Sequence, residues 1–180
     1  MTVAAVVLAA GDASRFGAPK QRLLLPAVLE RLRASPVDEI VVVEGAHELE
    51  LPRDTVSLGI PVRSVRCSGW ARGRGASLRC GLAALGPGVE AAVVVLADGP
   101  ELSPTAVERV LATWRARSGV VAASYGGHRG HPLVLGRELW DDVPDAGLHG
   151  RPARLVPCDH LGAPGDVDEP GDLPSGWRVS

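Results

Sequence analysis

The residues with the clearest capacity for chemistry lie in one stretch, Gly11-Asp12-Ala13-Ser14-Arg15-Phe16-Gly17-Ala18-Pro19-Lys20. It follows directly on Val3 to Ala10, a continuous Val-rich run suited to a strand buried on both faces. In an open α/β sheet, ligands bind at the carboxyl ends of strands. A glycine there lets backbone N–H groups approach an anion closely, and two cations in the same loop, Arg15 and Lys20, can neutralise a polyphosphate. Lys20 is the only lysine beside 18 arginines. Two common phosphate fingerprints are absent. A P-loop follows its Lys with Ser or Thr, whereas Gln21 follows Lys20, and the Rossmann glycine pattern is missing from this turn. An ordinary solvated loop is the plainer alternative.

The second chemical candidate is Asp98, which closes the apolar run Ala91 to Ala97 and so brings a carboxylate to the same sheet edge. Mg²⁺ takes one or two carboxylates plus substrate phosphates, so a second acid is expected from elsewhere. Asp166 and Asp168, two residues apart, are the candidates, with a solvated turn as the alternative. His128 and His131 form H-x-x-H among glycines, which suggests a loop; zinc would need two further ligands. Cys67, Cys80 and Cys158 are far apart, without CxxC spacing, and are expected to be reduced thiols. Cys67 and Cys80 suit buried apolar positions. Arg72 and Arg74 are expected to be solvated, and Trp140 and Trp177 to be exposed.

These side chains need a scaffold, and the apolar pattern supplies one. Ile40 to Val43, Val62 to Arg66, Val120 to Ser124 and Leu133 to Leu135 join the two runs above as strands. Helices are expected from Pro26 to Ser35, from Ser77 to Leu85, and from Pro104 to about Arg117 behind an Ser103 N-cap, with a short one from Arg137 to Val143. This alternation implies a Rossmann-like, three-layer α/β domain with a mostly parallel central sheet. The 180 residues suit one domain, 1-180, whose part from about residue 141 is irregular and carries one short apolar piece, Ala153 to Val156. The net charge of −2 argues against a general nucleic-acid binder, and no apolar run is long enough to span a membrane. With no basic segment ahead of the first apolar run, a cytoplasmic protein is expected.

Leu8-Ala9-Ala10-Gly11, with Arg15, Gly17 and Lys20 in register, resembles the signature L-A-A-G-x-x-x-R-x-G-x-x-K of nucleotidyltransferases. Three further matches are similar to the molybdenum cofactor cytidylyltransferase branch of the MobA-like NTP transferases. They are Trp70-x-x-Gly73-x-x-x-Ser77-Leu78-x-x-Gly81-Leu82, Leu96-Ala97-Asp98-Gly99-Pro100, and Gly130-His131-Pro132 followed by Asp166-Val167-Asp168-Glu169-Pro170-Gly171-Asp172-Leu173. The chain departs from that branch at Gly99, Cys67, Arg151 and Glu169, positions on the base and acceptor sides. The resemblance implies the nucleotide-diphospho-sugar transferase type of fold and a Mg²⁺-dependent transfer of a nucleotide from an NTP, CTP ahead of GTP, to a phosphomonoester. That acceptor would be molybdopterin, and a molybdoenzyme a possible recipient. Leu8, Ala9, Ala10 and Gly11 would line the nucleotide; Arg15 and Lys20 would hold its terminal phosphates; Ser77 would lie near base or ribose; Asp98 and Asp168 would hold the metal. Transfer to a sugar phosphate, or a non-catalytic binder that assists molybdoenzyme maturation, are the alternatives.

Overall fold

The computed structural model describes residues 1–12, 20–51, 59–167 and 169–173. Arg15 and Asp168 therefore lie outside the described residues, as does Trp177. One seven-stranded sheet is formed by β1 (Thr2–Ala9), β2 (Glu39–Glu44), β3 (Val62–Arg66), β4 (Val89–Leu96), β5 (Val120–Tyr125), β6 (His128–Gly136) and β7 (Arg154–Pro157). Their spatial order is β3-β2-β1-β4-β6-β5-β7. The pairs β3/β2, β2/β1, β1/β4 and β5/β7 are parallel, and β6 runs antiparallel to both β4 and β5. Reversing one strand places the amino end of β6 at the same edge as the carboxyl ends of the other strands. The expected mostly parallel sheet is present, and the short apolar piece near its end is β7.

Three helices cover the sheet: α1 (Lys20–Arg33), α2 (Arg74–Ala83) and α3 (Pro104–Arg117). Alternation along the buried strands sends side chains to both faces. Val3, Ala5 and Val7 of β1 pack with Leu29 and Leu32 of α1 and with Val110 and Leu111 of α3. Ala4 and Val6 face the opposite way, onto Leu78 and Leu82 of α2 and onto Trp140, Val143 and Leu148. The result is three layers with an apolar core on either side of the sheet. Among the described residues, no helix is long and apolar enough to cross a membrane.

Several boundaries differ from the sequence reading. α1 starts at Lys20 and carries Pro26 inside it, rather than opening at Pro26. Proline costs a helix hydrogen bond at an interior position, but the turns before it bury Lys20, Gln21, Leu24 and Leu25, and that packing outweighs local propensity. The Ser103 N-cap holds, its Oγ accepting from the Ala106 amide at 3.4 Å. Residues 128–131, expected as a loop, open strand β6. Trp140, expected to be exposed, is buried, and its indole N–H donates to the Leu135 carbonyl at 3.4 Å. The expectation of three reduced thiols is corrected as well. Cys67, just past β3, and Cys80 of α2 form a disulfide, leaving Cys158 as a buried free thiol. Tertiary packing brings the two Cα atoms within 5.7 Å, a proximity invisible in their spacing along the chain.

Candidate active site

The site forms where β1 and β4 end side by side. Ala9 and Ala10 are buried, and the Ala10 carbonyl accepts from the Ala46 amide at 3.1 Å, tying the loop after β1 to the one after β2. Gly11 is exposed. Its carbonyl accepts from Gln21 Nε2 at 2.9 Å, so the start of α1 holds the start of the loop. The Asp12 carbonyl lies 3.0 Å from His47 Nε2.

At the centre, Lys20 Nζ lies 3.1 Å from Asp98 Oδ2, the lysine almost fully buried and the aspartate about one-fifth exposed. Lys20 also donates to the Val167 carbonyl, and the Val167 amide donates to the Asp98 carbonyl at 3.3 Å. Three distant segments meet here: the start of α1, the end of β4, and the tail that returns across the sheet edge. The tail is held further by the Glu101 amide on the Pro164 carbonyl at 2.9 Å. Val167 itself packs on Leu24 of α1. The two residues singled out on either side of a sequence gap, Lys20 and Asp98, therefore make one contact.

Asp98 supplies a hard carboxylate donor, and Asp166 is exposed beside Val167. Among the described residues no three His, Cys, Asp or Glu are gathered closely enough to hold a metal ion. Asp98 and Asp166 offer carboxylate oxygens, and Mg²⁺ commonly adds substrate phosphate oxygens to one or two carboxylates. That donor set suits Mg²⁺ or Mn²⁺ with a triphosphate and does not suit a closed structural zinc site. Ser77 is buried in the first turn of α2. The glycines of the same motif have packing roles. A side chain at Gly81 would meet Val6 and Val43 of the sheet, and Gly73 sits at φ 139° against the Asp145 carbonyl.

Beside Asp98, toward β6, a cleft of about 100 Å³ opens between α2, β6 and residues 146–149. Its floor is aliphatic, with Leu8, Leu78, Val94, Leu96, Leu133 and Leu148, and its basic groups are Arg74, Arg129, His131 and His149. Arg129 Nη1 donates to the carbonyls of Leu148 at 2.9 Å and Arg151 at 2.8 Å, while its Nη2 is buried without a hydrogen-bond partner. His131 is pushed down to about 4, mainly by burial and then by Arg74 and Arg129, with Asp98 opposing them. The imidazole is therefore neutral at pH 7, and Asp98 shares one electrostatic neighbourhood with the cleft arginines. Tyr125 Oη donates to the His131 carbonyl at 3.0 Å, and burial, then Cys158, pushes this phenol up to about 12. His128 is exposed, so the two histidines of H-x-x-H do not share a site.

Sequence reasoning missed Gln21, Arg129 and the placement of Arg74, which lines the cleft although its surface is exposed. Gln21 was legible as the neighbour of Lys20. Arg129 had no local signal, because its partners lie about twenty residues downstream.

The model of the MobA-like NTP transferase domain matches residues 5–160. The chain belongs to this family. Among solved structures, Rv0371c from Mycobacterium tuberculosis H37Rv is 29% identical over 96% of each chain, with a TM-score of 0.76. Its homolog from Mycobacterium sp. strain JC1 is 28% identical over 94% of this chain and 92% of that one, with a TM-score of 0.74. A structure of Rv0371c in complex with manganese aligns at 24% identity over 88% of this chain and 89% of that one, with a TM-score of 0.65. No curated protein matches the chain. Membership in the MobA-like family makes this a protein of the nucleotidyltransferase class, with the α/β fold of the nucleotide-diphospho-sugar transferases.

Proposed function

We propose that this protein is a Mg²⁺-dependent cytidylyltransferase that moves CMP from CTP, in preference to GMP from GTP, to the phosphate of molybdopterin. In this reading an oxygen of the acceptor phosphate attacks the α-phosphorus of the NTP. The bond from the α-phosphorus to the bridging oxygen breaks, and pyrophosphate leaves with the electron pair. Such chemistry depends on positioning and charge neutralisation rather than on a covalent protein nucleophile.

The observation that carries this reading is the contact between Lys20 and Asp98 at the joint carboxyl edge of β1 and β4. In the free protein each charge balances the other. An arriving nucleotide with its cation offers both a partner of opposite sign, the phosphates for Lys20 and the cation for Asp98. Asp98 and Asp168 would hold the metal, which supplies charge neutralisation at the α-phosphate, and the manganese complex of Rv0371c supports a divalent ion. Arg15 and Lys20 would bind the terminal phosphates. Leu8, Ala9, Ala10 and Gly11 would lie along the nucleotide, with the Gln21 amide keeping Gly11 in place, and Ser77 would stand behind the base or ribose. A cytoplasmic location, with handover to a molybdoenzyme, goes with the same reading.

The test is pyrophosphate release on incubation with molybdopterin and each of CTP, GTP, ATP and UTP, with and without Mg²⁺. Mg²⁺-dependent release with CTP above GTP is expected. Nucleotide binding without pyrophosphate release would instead identify a non-catalytic binder.

A further inference from the structure

The segment that joins β3 to α2 bonds mostly to itself. Residues 68–72 are exposed or half-buried. The Trp70 amide donates to the Cys67 carbonyl at 3.3 Å, the Arg72 amide to Gly69 at 3.1 Å and the Gly73 amide to Trp70 at 3.2 Å. Among the described residues, two features hold this segment from outside. The Cys67–Cys80 disulfide joins the end of β3 to α2 and closes the segment into a loop. The Trp70 indole presses on Gly45, where a side chain would lie 2.7 Å from Trp70 Cγ and 2.5 Å from the Ala10 carbonyl oxygen. Trp70, Gly45 and Ala10 thus touch in succession, and Ala10 opens the loop assigned above to the nucleotide.

The two sulfurs differ in access. Cys67 is 1% exposed, whereas Cys80 is only half-buried, so a thiolate from solution meets Cys80 first. Cys67 Sγ also lies 3.6 Å from the Ala76 carbonyl oxygen. That acceptor has nothing to receive from an oxidised sulfur and serves a thiol once one forms. Both oxidation states are therefore provided for. In a reducing compartment a disulfide is usually transient, catalytic or redox-sensing. Resting on the nucleotidyltransferase reading and its cytoplasmic location, we propose that Cys67–Cys80 is a redox switch on the nucleotide site. Oxidised, it clamps Trp70 against Gly45 and Ala10 and favours NTP binding; reduced, it releases Trp70 and weakens that binding. A glutathione thiolate attacks Cys80 Sγ, the Cys67–Cys80 bond breaks, and Cys67 leaves as a thiolate that takes up a proton. A second glutathione thiolate attacks the glutathione sulfur of the mixed disulfide and frees Cys80, which is protonated in turn. Two protein thiols and one glutathione disulfide result, two electrons having passed to the protein. Glutathione disulfide runs the same steps backward.

The test titrates CTP with Mg²⁺ by calorimetry into the intact protein, oxidised and after reduction by glutathione, well below the unfolding transition of both forms. The reduced form is expected to bind CTP about tenfold more weakly, an ordinary size for coupling between sites, and glutathione disulfide to restore the affinity. Cys80→Ser is expected to match the reduced form and to ignore glutathione. Amide hydrogen exchange supplies a readout that needs no ligand. Residues 68–77 are expected to lose protection on reduction while β1 and β4 keep theirs. Equal CTP affinity in the two states, a bond that glutathione reduces only after unfolding, or a further loss when glutathione is added to Cys80→Ser would each overturn the proposal. Loss of protection across β1 and β4 would overturn it too, since the bond would then hold the fold rather than the site. No CTP binding in either state would sink the transferase reading and the switch with it; equal binding in both would sink the switch alone.

Discussion

Around Asp98, charges and backbone groups answer one another: Lys20 meets Asp98 and the Val167 carbonyl, and Gln21 meets Gly11. In the neighbouring cleft, Arg129 has a buried nitrogen without a partner and Arg74 stands exposed above an apolar floor. The first region is close to self-sufficient, and the second is built with polar capacity to spare. A site whose groups are already paired must exchange partners when a ligand arrives. A site with an unmet donor gains most of its hydrogen bonding on binding. That difference suggests that removing a side chain near Asp98 disturbs both fold and chemistry, whereas removing one in the cleft disturbs recognition.

The largest expected effect attacks the paired region. Asp98→Asn keeps the shape but removes the charge, and turnover is expected to fall by about a thousandfold with the unfolding transition still cooperative. Asp98→Ala goes further, removing the side-chain oxygen that faces the buried Lys20 ammonium as well as the charge. It is expected to cost about 3 kcal/mol of stability in denaturant unfolding as well. Equal, unchanged stability in both variants would show that the Lys20 contact is not what holds the tail.

The next effect concerns the border between the regions. The Cys67–Cys80 disulfide closes a short loop, with a sequence separation of 13, that contains Trp70 and Gly73 at the start of α2. Loop-closure entropy assigns such a crosslink about 3 kcal/mol. Reduction, or Cys80→Ser, is expected to lower Tm by roughly 6–12 °C at this chain length. No shift on reduction would mean that packing alone fixes the loop.

The smallest effect sharpens the cleft. His131 has a folded pKa near 4 against about 6.5 unfolded. The unfolded chain therefore binds more protons between those values, so stability is complete above about pH 6.5 and declines as pH falls toward 4. His131 is only partly buried by exposed area, and the loss is accordingly put at about 2 kcal/mol rather than the full shift. Urea unfolding at pH 7 and pH 4.5 measures it, and His131→Gln should flatten the difference by that amount.

Much of the scaffold was legible without coordinates. Continuous apolar runs at 3–10 and 91–97 became β1 and β4, since a strand buried on both faces has no polar side to show. Ser103-Pro104 marked a helix start because the capping chemistry is local. Pro26 misled, because proline's preference for a first turn is a local rule and the burial of Leu24 and Leu25 is not. Residues 128–131 misled similarly: glycines suggested a loop, while pairing of His128 and Arg129 with β5 made a strand.

The sequence by itself determined the carboxyl-edge loop with its lone lysine, the aspartate at the end of β4, and the alternation that makes an α/β sheet, because each is set by neighbours a few residues apart. Only the tertiary structure decided that Lys20 rests on Asp98, that Cys67 faces Cys80, and that Arg129 closes a cleft with residues 148–151. Those contacts depend on which strand is reversed and where the tail returns, and both are settled by the packing of two apolar faces rather than by any local run of residues.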